Sequence, residues 1–84
     1  MTEWLQDTFA ALAETAGVDP GAVPLSDADA DVLLGIARIA SHDSGDRTNA
    51  PLLCYLIGRL LERAPAATLD EVRAVVAGRA REQA

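Results

Sequence analysis

The chain has 84 residues, half of them apolar, and a formal net charge of −6. That length allows one domain, 1–84, which buries roughly 60–65% of its unfolded surface. Thirteen acidic residues against seven basic ones leave no basic footprint for nucleic acid and no attraction to an anionic membrane, and the scarcity of aromatics beside Ala, Leu and Val points to packed helices rather than a sheet.

The first helix is expected from about Glu3 to Ala16. Thr2 is its N-cap, and Glu3 and Asp7 favour the positive end of the dipole. Leu5, Phe9, Leu12 and Ala16 form one stripe, and Gly17 is placed to end the helix in a left-handed conformation. Residues 17–25, with two prolines and two glycines, read as a turn-rich connector. Val18, Val23 and Leu25 could pin it to the core.

Ser26 opens the second helix, with Asp29 as a short-armed partner in a capping box. Val32, Leu33, Ile36, Ala37 and Ala40 make its apolar face. Gly35 interrupts that face, a device suited to close approach of a neighbouring helix. Residues 41–49, Ser-His-Asp-Ser-Gly-Asp-Arg-Thr-Asn, are the most polar stretch and read as a loop.

The third helix, about 50–63, follows with Thr48 or Asn49 as cap and Pro51 in its first turn. Leu52, Leu53, Cys54, Tyr55, Leu56, Ile57, Leu60 and Leu61 leave it almost no polar face, so it must be surrounded. Gly58 is a second candidate for close approach. The fourth helix begins after Pro65, where Thr68-Leu-Asp-Glu71 is the clearest capping box in the chain. Leu69, Val72 and Val76, with or without Val75, form its face. The expected fold is therefore all-α: a compact four-helix domain with the third helix most buried.

The polar loop is the first candidate site. His42, Asp43, Arg47 and Asn49 supply a base, an acid and an anion ligand beside a helix N-terminus. The other reading is a solvated connector, with Asp43-Ser-Gly45 as a turn and Asn49 as a cap. A metal site is poorly supported, because His42 is the only histidine and Cys54 the only cysteine. The Asp27-Ala-Asp-Ala-Asp31 alternation lacks the glycine and distant glutamate of a calcium loop. Ser41, Ser44 and Cys54 sit in no nucleophile elbow. Asp43-Ser44 is followed by Gly45-Asp46-Arg47 rather than an apolar helix, which argues against a carrier protein. No cofactor is implied by these residues, and no enzyme is expected.

An interaction surface is the remaining class. Trp4 lies off the main stripe of the first helix, and Tyr55 and Leu61 are the other candidates for a partner surface. The lone cysteine fits a reducing compartment. The N-terminus shows no secretory pattern, and 50–61 is too short to span a bilayer. A cytoplasmic protein is expected. The use of Arg without Lys, beside abundant Ala, fits a GC-rich bacterial coding sequence.

The chain resembles a short helical domain of unknown function found in actinobacteria. The resemblance is carried by Glu3-Trp4-Leu5, by Asp29-Ala-Asp-Val-Leu-Leu-Gly-Ile-Ala-Arg38, by Ala40-Ser-His42 and by Asn49-Ala-Pro-Leu-Leu-Cys-Tyr-Leu-Ile-Gly58. Such domains occur alone or fused behind molybdenum-cofactor guanylyltransferase domains. The family typically reads Ala-His-Gly at Ser41-His42-Asp43, and Arg-Pro before the Ala-Pro of Ala50-Pro51. What the resemblance implies is an accessory role in molybdenum-cofactor or molybdoenzyme maturation, with a molybdenum-cofactor enzyme as protein partner and no catalytic residue of its own.

Overall fold

The computed structural model describes residues 1–83. Four α-helices follow in order: α1 (Glu3–Ala16), α2 (Asp27–Ser44), α3 (Asn49–Arg63) and α4 (Leu69–Gln83), with one 3-10 turn over Pro20–Ala22 between the first two. No strand occurs among the described residues. The chain is all-α, as its composition implies.

The residues divide into two compact units, Met1–Ala30 and Asp31–Ala84. The division falls inside α2, whose first turn belongs to the first unit.

In the first unit, α1 starts where the Thr2 hydroxyl accepts the Leu5 N–H at 3.3 Å. It stops at Gly17, whose φ of 73° only a residue without Cβ adopts freely. There Gly17 N–H donates to the Glu14 carbonyl and Val18 N–H to the Ala13 carbonyl, closing a Schellman motif. Two of the orphan carbonyls of α1 are satisfied in this way. The connector then tightens into the 3-10 turn, capped by the Asp19 carboxylate accepting Gly21 N–H at 3.0 Å. This turn packs back on α1. Ala13 is the buried residue of α1.

In the second unit, α2 buries Ile36 completely and α3 buries Ile57. The half-buried positions around Ile57 are Ala50, Leu53, Cys54, Leu61 and Ala64. With Ile57 they recur every three or four residues and fall on one stripe of the helix. The other flank, Leu52, Tyr55, Leu56 and Leu60, is as apolar but stands more than half exposed. The helix that reads as apolar all round is thus two-faced. Each of α1, α2 and α3 has one buried residue, so burial does not rank α3 above the others. In α4 the half-buried residues are Leu69, Val72, Val76, Ala77, Gly78 and Ala80, and Val75 is exposed.

Three expectations need correction. The polar stretch after Ala40 is not all loop: α2 continues through Ser41, His42 and Asp43 to Ser44. Polar side chains do not end a helix while its backbone can continue, and the stop is Gly45 at φ 70°. Asn49 is the first residue of α3 rather than its cap. Gly35 and Gly58 do not mark close approach, since a Cβ built on either meets nothing within 4 Å among the described residues.

The caps of α2 and α4 have the expected residues with one difference in detail. Ser26 Oγ accepts Asp29 N–H at 3.0 Å. Thr68 Oγ1 accepts Glu71 N–H at 3.2 Å and donates its own proton to Glu71 Oε1 at 3.2 Å. Glu71 therefore anchors the capping hydroxyl rather than the backbone N–H of Thr68. Thr68→Ala removes both bonds and should cost about 1 kcal/mol. Ser26→Ala removes one and should cost less. Thermal melts of the two variants check the ranking, and a larger loss at Ser26 would overturn it.

Candidate functional site

The turn between α2 and α3 is short and internally bonded. Asp46 accepts both the Thr48 N–H at 2.9 Å and the Thr48 hydroxyl at 2.6 Å. These bonds hold its carboxyl below the ordinary 3.8, the side-chain bond contributing most. Ser44 Oγ accepts Asp46 N–H at 3.2 Å and donates to the Asp46 carbonyl at 3.1 Å. Asn49 N–H and Ala50 N–H already donate to the carbonyls of Asp46 and Arg47, and Pro51 has no N–H. So the start of α3 is occupied by its own turn, with a carboxylate seated where an external anion would need donors.

The lowered Asp46 pKa sets a pH dependence. A carboxyl with a depressed folded-state pKa stabilises the fold fully above its unfolded value. That contribution is lost as pH falls through the folded value. Asp46→Asn should therefore lower stability at neutral pH and flatten the acid limb below about pH 4, so that the two profiles converge as pH falls. Melting temperatures of both proteins across that range check it. Parallel acid limbs would show that Asp46 is not held in this turn.

The four residues of the loop candidate separate into two pairs. Asp43 and Asn49 line an open groove of about 540 Å³ between α2, α3 and α4, together with Ser44 and Arg79. The rest of its lining is apolar and includes Ile39, Leu53 and Val76 with the exposed Leu52 and Leu56. His42 and Arg47 do not line it. The His42 side chain stands 88% exposed with Nδ1 3.3 Å from Asp43 Oδ1. Arg47 is exposed.

The polar residue that sequence reasoning missed here is Arg79. By sequence it stands near the C-terminal end of α4, where a cation suits the helix dipole and signals no site. Only the return of α4 beside α2 and α3 brings it to the groove.

Cys54 lies on the half-buried stripe of α3, and burial raises its pKa. A thiol kept protonated is a poor nucleophile and a poor metal ligand. Among the described residues no group of three His, Cys, Asp or Glu side chains is placed to hold a metal ion. No helix of the described residues is long and apolar enough to cross a membrane.

The partner-surface candidates also divide. Trp4 on α1 is 72% exposed and Tyr55 on α3 is 62% exposed. Arg59 lies over the Tyr55 ring at 5.8 Å from its centroid, with Nη1 donating to the phenolic oxygen at 3.4 Å. This pair orients the ring on the open flank of α3. Leu61 falls on the opposite flank, half-buried in the row with Ile57.

Comparison of the chain with protein-family models, curated proteins and solved structures finds no match.

Proposed function

We propose that the protein is a non-enzymatic cytoplasmic module that binds a protein partner through the open flank of α3. The observation that carries this reading is the continuous row Leu52, Tyr55, Leu56 and Leu60, each more than half exposed. Single exposed leucines are ordinary on protein surfaces, but a contiguous apolar row on one helix face is the mark of an interaction surface. Tyr55 with Arg59 adds the aromatic and arginine pairing that recurs at binding hot spots. The motifs of Glu3-Trp4-Leu5 and of 49–58 support molybdenum-cofactor or molybdoenzyme maturation as the setting, with a molybdenum-cofactor enzyme as the partner.

The test is co-purification of the full chain with the molybdenum-cofactor guanylyltransferase and the molybdoenzymes of its host. Wild type should co-elute with one of them. Leu56→Glu should not, while keeping its helical spectrum and melting temperature, because the side chain is exposed. Retention of the partner by Leu56→Glu would remove the α3 flank. Absence of any such partner with wild type would remove the molybdenum setting.

A further inference from the structure

The charge of the chain is divided as sharply as its helices. Residues 1–30 hold Glu3, Asp7, Glu14, Asp19, Asp27 and Asp29, and no arginine or lysine. The first basic side chain is Arg38, and all seven arginines lie beyond Ala30. The net −6 of the chain is therefore the side-chain charge of the first unit alone, since the seven acids that follow balance the seven arginines. In the first unit the positive group is the Met1 amine, paired with Asp27 at 3.2 Å.

This unit also holds an apolar groove of about 570 Å³. Leu5 and Phe9, one turn apart on α1, form one wall, and Val23, Pro24 and Leu25 of the connector form the other. All four of Leu5, Phe9, Val23 and Leu25 are exposed. Asp19 adjoins the wall at Pro20, and Asp27 adjoins it at Met1. The groove lining is apolar apart from Gln6 and the Met1 amine, and the Asp19 and Asp27 carboxylates stand just outside it, Asp27 ion-paired with that amine and its side chain 89% exposed.

We infer that the groove formed by α1 and the 17–25 connector docks a Lys/Arg-rich amphipathic helix of a protein partner. A groove of this kind takes the apolar face of a helix through anchors at i, i+3 or i+4, and i+7. Charge then selects the sequence of the visiting helix. Cationic residues flanking its apolar stripe meet Asp19 and Asp27, and the remaining acids of the unit raise its encounter rate. A second copy of this unit would bring like charges together, and the same field repels anionic membranes and nucleic acid. The inference uses residues 1–30 only, so it stands or falls apart from the α3 flank and from the molybdenum setting.

The experiment titrates isotope-labelled full-length protein with a synthetic amphipathic helix of about five turns, leucine-striped and otherwise Lys/Arg-rich. A second peptide keeps the stripe and replaces every basic residue with Glu. The basic peptide should bind at least about tenfold more tightly, with amide shifts centred on Leu5, Phe9, Val23 and Leu25, and weaken with added salt. Asp19→Asn preserves the acceptor for Gly21, and Asp27→Asn lies on an exposed side chain. Together they should weaken binding several-fold without changing the helical spectrum. Equal binding of the two peptides, shifts confined to residues beyond Asp31, unaltered binding by the double variant, or self-association of the protein through these residues would each overturn the inference.

Discussion

Ile57→Ala should destabilise the protein by about 2–5 kcal/mol, whereas Leu56→Ala, one residue away, should cost less than about 1 kcal/mol. Ile57 is 4% exposed and Leu56 is 59% exposed. Truncating the first removes buried methyl groups and leaves a cavity. Truncating the second removes atoms that water already reaches. Ile36, at 0% exposed, should behave like Ile57. A chain of 84 residues has a total stability of only about 4–12 kcal/mol, so either isoleucine variant approaches the point of unfolding at room temperature. Denaturant melts with matched m-values make the comparison. Equal losses at Leu56 and Ile57 would mean that both flanks of α3 are covered, and the open flank would no longer be available to a partner.

That contrast also marks what a sequence can carry. The two ends of α1 are legible because three local signals agree: the Thr2 hydroxyl, the Leu5-Phe9-Leu12 stripe, and a glycine where φ must turn positive. Thr68 and Glu71 are legible for the same reason. The two flanks of α3 are not, because leucines occur on both and composition cannot say which one the rest of the chain covers. The end of α2 misleads in another way. Ser41-His-Asp-Ser44 looks like a loop by polarity, yet nothing in those side chains prevents helical backbone, and the stop waits for Gly45. The candidate site inherits that displacement. Asp43 is carried by the last turn of α2 to the groove while His42, the residue before it, is turned to solvent. Arg79 could not be assigned to that groove from sequence, because its neighbours there on α2 and α3 are 23–40 residues away along the chain.

The glycines should divide by sign. Gly17→Ala and Gly45→Ala place a Cβ at φ 73° and φ 70°, and each should cost about 1–2 kcal/mol. Nothing lies within 4 Å of either built Cβ, so the loss measures the backbone and not a clash. At Gly35 and Gly58 the same empty surroundings occur with helical backbone. There alanine removes the unfolded-state entropy of glycine and supplies a better helix former, so each replacement should gain up to about 1 kcal/mol. In a domain of this size 1 kcal/mol corresponds to roughly 4–8 °C of melting temperature, so the two pairs should move in opposite directions on one thermal scan. The distinction rests on φ alone, since the four sites share the same free space. If Gly17→Ala proved neutral, α1 would not end in the Schellman motif. If Gly35→Ala or Gly58→Ala proved destabilising, a neighbouring backbone would have to approach that glycine closely in solution, and the open face of the helix carrying it would have to be given up.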